Sequence, residues 1–221
     1  MEAKTKGNKS KLIICTIPFI ILIVSIIFGY RFFSKKNKYN IQHNIKEELF
    51  ISIDFGNSKS SFAYNFGRNK KIIRGNLRSV PSIVILNKKN YSGKNYGTKS
   101  IISISKYDEK EMNKIIYIDN LKLSLFNILN QENNTNLNST ISFETSKAII
   151  EYLKLFSDEI LKEINALGTK YVKGEINWII TAPRFWDDYT KMDLINLAKE
   201  AGMINIELAL ESEVCFYLCF E

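Results

Sequence analysis

Residues 50–64, FISIDFGNSKSSFAY, end a strand-like run in a carboxylate. Phe50 with the alternating Ile51 and Ile53 predicts a β-strand, and SSFAYNF predicts a second. Between them lie Asp54, Gly56, Asn57, Ser58 and Lys59. These are ordinary turn residues. They also suit a metal-bound phosphate. Mg²⁺ is usually held by one or two carboxylates, largely through water, and Asp54 at a strand end offers one. Gly56 lets the backbone come close, and Asn57, Ser58 and Lys59 supply N–H groups around the phosphate. The sequence contains neither G-x-x-x-x-G-K-[ST] nor G-x-G-x-x-G, so neither a P-loop nor a dinucleotide fingerprint accounts for the stretch.

Further along, VPSIVIL (80–86) predicts a strand with Pro81 near its start. Residues 87–114 are polar and carry no clear pattern, and 115–129 mix strand-like and helix-like runs. Asn-rich residues 130–140 predict a loop. In 143–165, residues Ala148, Ile149, Tyr152, Leu153, Phe156, Ile160, Leu161 and Ile164 recur at three- and four-residue spacing. That is the clearest helix, with Ser142 placed to cap it. EINWIITA follows as a buried strand. A second helix is capped by Asp187 or Asp188, carries an apolar stripe of Met192, Ile195 and Ala198, and stops at Gly202. NIELALE predicts a last strand, and the apolar VCFYLCF (214–220) could begin another helix. Strands followed by helix–strand–helix–strand indicate a mixed α/β domain with a partly parallel sheet.

The net charge of +8 is unevenly spread. Residues 1–48 hold 9 Lys and Arg against 3 acidic residues, whereas 49–221 hold 22 against 20. The folded body thus has no basic excess that would indicate nucleic-acid binding. Residues 12–30 are 19 consecutive uncharged, mostly apolar positions. At about 1.5 Å per residue they nearly cross a ~30 Å hydrocarbon core. The run is longer than a signal-peptide core and has no small-residue cleavage site, and Tyr30, Phe32 and Phe33 suit an interfacial belt. The expected layout is a basic tail at 1–11, a transmembrane helix at 12–33, a polar tether at 34–48 and a body at 49–221. The protein is then a single-pass membrane protein. Four basic residues on each side of the span leave its orientation open. His43 is the single histidine, which argues against Ser-His-Asp and Cys-His catalysis.

The opening stretch and residues 176–213, INWIITAPRFWDDYTKMDLINLAKEAGMINIELALESE, occur in an order that resembles the ATPase domain of the heat-shock protein 70 family, within the actin-like ATPase superfamily. The first stretch is similar to that family's phosphate motif I-D-x-G-T-T-N-S. The second resembles its connecting segment, in which a strand ends in T-x-P and a later strand ends in Glu. Trp186 and ALESE look like the divergent twelve-type branch. VPSIVIL and ISFETSKAIIEYLKLF resemble the family's neighbouring strand and helix, so the likeness covers about 49–221.

The resemblance implies a ribonuclease-H-like first lobe, a mixed sheet with flanking helices, that binds ATP or ADP with Mg²⁺. It assigns Asp54 to the metal through water, and Gly56, Asn57 and Ser58 to the phosphates, with Asn57 and Ser58 in place of two threonines; Lys59 adds its N–H beside them. Lys122 would touch the γ-phosphate and the attacking water, Glu211 would orient that water, and Pro183 would report nucleotide state. Hydrolysis of this kind needs positioning and charge neutralisation more than covalent chemistry. The second phosphate motif, D-x-G-G-G-T, does not occur in the 221 residues. The chain stops at Glu221 where the family continues. The expectation is therefore a membrane-anchored, chaperone-type ATPase relative, incomplete and inactive alone. The alternative is a non-catalytic or decayed relative that meets a protein partner at its exposed lobe face.

Overall fold

The structure, a computed structural model, describes residues 47–67, 71–77, 79–132 and 139–212, without side chains at 128–142. The expected span at 12–33, most of the tether and the 214–220 run lie outside the described residues. Among the described residues no helix is long and apolar enough to cross a membrane. The body already begins at Glu47. Tyr171 donates its hydroxyl to the Glu47 carbonyl (2.9 Å), and the Gly67 N–H reaches the Glu48 carbonyl (2.7 Å).

Strands β1 (Leu49–Phe55) and β2 (Lys59–Phe66) form the expected antiparallel hairpin, with Leu49 opposite Phe66 and Phe55 opposite Ser60. Leu49, Ile51, Ile53 and Phe55 are fully buried, while Asp54 is exposed. This is the period-two pattern of a strand with one face on a core. Two-residue strands β3 (Ile73–Arg74) and β4 (Val80–Pro81) both pair with β2. On the other side β8 (Ile176–Ala182) lies parallel to β1, with Leu49 beside Ile176 and Ile53 beside Ile180. Strand β9 (Asn205–Leu210) lies parallel to β8. The order is β3-β2-β1-β8-β9.

VPSIVIL does not form one strand. It divides between β4 and β5 (Val84–Asn87), and β5 belongs to a second, antiparallel sheet with β6 (Gly93–Tyr96) and β7 (Ile115–Ile118). The break is a tight turn in which the Ile83 N–H bonds the Pro81 carbonyl at 2.9 Å. The unassigned 87–114 region supplies β6 and two short helices, α1 (Thr98–Ile104) and α2 (Glu109–Met112). Asp108 and Glu111 cap α2 reciprocally, a local device that needs no hydrophobic period. The mixed 115–129 run resolves into β7 and α3 (Leu121–Glu132).

Helix α4 (Ser139–Asn165) starts before the predicted 143, so Ser142 lies inside it rather than at its cap. Its buried Ala148, Ile149, Tyr152, Leu153, Phe156, Ile160 and Ile164 pack beneath both sheets. The Tyr152 ring lies 6.0 Å from Phe55 of one sheet and 5.8 Å from Tyr96 of the other. Helix α5 (Asp188–Glu200) is capped by Asp187 and followed by Gly202 at φ 96°. It buries Thr190, Leu194, Leu197 and Ala198, whereas Met192 is 51% exposed. The expected stripe of Met192, Ile195 and Ala198 is thus rotated, because Ala201 and Met203 just beyond the helix join Leu194 and Ala198 in the core.

The α5 cap depends on pH. The Thr190 N–H at 2.7 Å is the main cause that holds the Asp187 carboxyl below its usual value of 3.8. A lowered folded-state pKa adds stability above the unfolded value and loses it as pH falls through the folded one. Thermal melts of Asp187→Ala should therefore lie below the parent at neutral pH. The gap should close below pH 3.8. A gap that stays constant through that range would show that the carboxylate is not the cap.

Candidate functional site

Three parallel strands end side by side, β1 at Phe55, β8 at Ala182 and β9 at Leu210. The carboxyl ends of adjacent parallel strands are where open α/β sheets gather functional groups. Asp54 is the next-to-last residue of β1, Pro183 follows β8 and Glu211 follows β9. Lys122 enters from the first turn of α3.

Lys122 is 2% exposed. A helix N-terminus disfavours a cation, and burial disfavours it further. Its partners offset both. Nζ donates to the Phe55 carbonyl at 2.6 Å and forms an ion pair with Glu211. It also stands 5.8 Å from the Trp186 ring centre. Trp186 is 3% exposed and stacks on Phe126 at 6.1 Å, with the two rings 5° from parallel. Glu211 is the more open partner, its side chain 40% exposed.

Asp54 is exposed, but its carboxylate is not free to turn. Thr181, 3% exposed, donates its hydroxyl to Asp54 Oδ1 at 3.1 Å. The same hydroxyl accepts the Phe55 N–H at 3.3 Å.

The hairpin turn is held from behind by Ser82, which is fully buried. Its hydroxyl donates to the Gly56 carbonyl (2.7 Å) and its N–H to the Ser58 carbonyl (2.9 Å). Among the described residues no peptide is cis, so the Asn57 N–H points opposite the Gly56 carbonyl and away from Ser82. Gly56 is required by the turn itself, since a Cβ there would stand 2.3 Å from the Lys59 carbonyl oxygen. Asn57, Ser58 and Lys59 are exposed. Ser60 lies 3.1 Å from Ser82, hydroxyl to hydroxyl. Tyr152 sits beneath both, and burial pushes its hydroxyl up to about 12 against the pull of the two serines. It meets neither serine at hydrogen-bonding geometry.

The structure thus sets the Lys122–Glu211 pair against the Phe55 carbonyl, between Asp54 and the 56–59 turn along the chain. Pro183, buried at the end of β8, accepts the Trp186 N–H at 3.3 Å, and the Trp186 ring lies beside Lys122. Thr181, Ser82 and Trp186 were not singled out from sequence as site residues. Thr181 and Ser82 stand inside the quoted T-x-P and V-P-S motifs, and only their hydrogen bonds reveal what they do.

The donor chemistry fits Mg²⁺ held through water. Asp54 presents one hard oxygen donor beyond the one Thr181 engages. Among the described residues no three His, Cys, Asp or Glu form a cluster that could cage a metal directly.

No family model matches the chain. It is 21% identical over 201 residues to Heat shock 70 kDa protein 12A of Homo sapiens, covering 80% of this chain and 30% of that protein. It is 22% identical over 190 residues to the Mus musculus protein of the same name, covering 76% and 28%. The chain therefore spans less than a third of the length of the curated relatives it matches. Among solved structures it is similar to MreB5 of Spiroplasma citri bound to AMPPNP, with TM-score 0.46 and 15% identity over 74% of this chain and 39% of that one. A non-polymerising MamK mutant bound to AMPPNP gives TM-score 0.43 and 14% identity over 76% and 42%.

The ion pair is asymmetric, and its two halves should differ on removal. Glu211→Ala leaves a buried cation without a counter-ion and should cost about 3 kcal/mol. Lys122→Met leaves an exposed carboxylate and one unpaired carbonyl, at about 1–2 kcal/mol. Urea denaturation of both variants gives the order, and a larger loss for Lys122→Met would overturn this account of the pair.

Proposed function

We propose that the chain is a heat-shock-70-like nucleotide-binding module that holds the phosphates of ATP or ADP at the carboxyl ends of β1, β8 and β9. One observation carries the reading. Lys122 and Glu211, distant in sequence, pair against the Phe55 carbonyl, between Asp54 and the hairpin turn, although burial disfavours a cation there. The similarity to Heat shock 70 kDa protein 12A supports it.

In this reading Asp54 orients water around Mg²⁺, and the outward N–H of Asn57 with the side chains of Ser58 and Lys59 faces the phosphates. Mg²⁺, when bound, neutralises phosphate charge. Lys122 exchanges its bond to Glu211 for the terminal phosphate, which frees the Glu211 carboxylate to orient a water. Pro183, with Trp186 between it and Lys122, is placed to respond to that exchange. Residues 12–33 anchor the module in a membrane as a single-pass span. The described body supplies one wall of the site, so its affinity is weak and turnover by the chain alone is absent.

A second reading, a partner-binding lobe without catalysis, is favoured by the face of the sheet opposite α4. Phe50, Ser52, Ala63, Asn65, Ile179 and Glu207 line an open groove of about 500 Å³ there.

Phosphorus NMR titration of Mg²⁺-ATP with the full chain tests the first reading. The expected result is a saturable shift with a Kd of about 0.1–1 mM, weakened in Asp54→Asn and lost in Lys122→Met, with no phosphate release above buffer. A folded chain that gives no saturable shift refutes nucleotide binding and leaves the partner reading. Hydrolysis abolished by Glu211→Ala would refute the claim of inactivity alone.

A further inference from the structure

We infer that Thr181 is the positioning residue that fixes the Asp54 carboxylate for a water-held divalent cation. The inference rests on the nucleotide reading above and deepens it at one residue.

The direction of both hydrogen bonds follows from donor count. A threonine hydroxyl has one proton and two lone pairs. The Phe55 N–H can only donate, so at 3.3 Å the Thr181 oxygen accepts it. The hydroxyl proton is left for Asp54 Oδ1 at 3.1 Å. This pairs the hydroxyl with an ionised carboxylate, which only accepts. One oxygen of Asp54 is thereby engaged and the other is available to a hydrated cation.

The position is set by the fold. The pairing between β1 and β8 ends at Ile53 beside Ile180, and Thr181 is the next residue. Beyond that point a side chain takes over from the backbone ladder and bonds to β1 at Phe55. Thr181 is 3% exposed and β-branched, so its χ1 is stiff and the hydroxyl has little freedom. The Asp54 carboxylate, exposed and with no other hydrogen bond among the described residues, would otherwise rotate in solvent. Partners that orient a metal-bound carboxylate typically change metal affinity about 10–100-fold when removed.

The experiment uses the full chain and reads nucleotide affinity, not turnover. ADP is titrated by phosphorus NMR with Mg²⁺ and with EDTA, and the ratio of the two affinities is the Mg²⁺ enhancement. Thr181→Val should cut that enhancement about tenfold and leave EDTA affinity within about twofold. Thr181→Ser, which keeps the hydroxyl, should restore most of it. Asp54→Asn should remove the enhancement, and adding Thr181→Val to it should change nothing further. A purely structural threonine would instead lower affinity in EDTA as well and would act independently of Asp54. Where Thr181→Val does not fold by circular dichroism, Thr181→Cys replaces it, with a weaker donor of similar size. Full enhancement in these folded variants overturns the positioning role while nucleotide binding stands. An unmodified chain with no Mg²⁺-dependent binding overturns both.

Discussion

The parallel pairing of β1 with β8 is the constraint on which the rest depends. It sets Leu49 beside Ile176 and Ile53 beside Ile180 across more than a hundred residues. Register in a sheet with one buried face is strict, because a one-residue slip reverses every side chain. Here a slip would turn the apolar face of one strand, Ile51 and Ile53 or Trp178 and Ile180, away from α4, at about 1.5–3 kcal/mol for each large apolar group lost from the core. With β1 inverted, Asp54 would enter the core and lose its bond to the Thr181 hydroxyl. The apolar pattern that fixes the fold therefore also aligns the polar groups at the strand ends.

The hairpin, α4, β8, α5 and β9 were legible because each carries its own period, its own cap or a glycine stop. Asp54 stood out as a carboxylate at the end of an apolar strand, on the face the alternation leaves open. The second sheet was not legible, since β6 is short and polar and β5 is continuous in sequence with a strand of the other sheet. Helix α5 was placed well and rotated slightly, because its buried face is decided by Ala201 and Met203 beyond its end. Among the site residues Lys122 was the hardest to read. On a helix it looks like any solvated lysine, and only the structure shows it 2% exposed against the Phe55 carbonyl. Thr181 and Ser82 act through hydrogen bonds to chain-distant backbone, which no spacing rule encodes.

Two kinds of restraint meet at the turn. Buried hydroxyls of Ser82 and Thr181 hold it from the protein side, while Asn57, Ser58 and Lys59 remain open to solvent. Such an arrangement lowers the cost of ordering when something binds, because the backbone is fixed beforehand. Lys122 is prepared differently. It is stored against Glu211, so any anion that takes it must compete with a carboxylate already present. That competition favours ligands with several negative charges over those with one.

The β1–β8 pairing also sets a schedule for synthesis. The β1–β2 hairpin and its Ser82 clasp are local and can close as soon as they leave the ribosome. At roughly 5–20 residues per second, β8 follows β1 by about 6–25 s. Through that interval β1 has one unpaired edge bearing Leu49, Ile51 and Ile53. An unpaired apolar edge is a template for other chains. A body whose central strand waits this long for its neighbour depends, while being made, on how crowded and how well guarded its surroundings are.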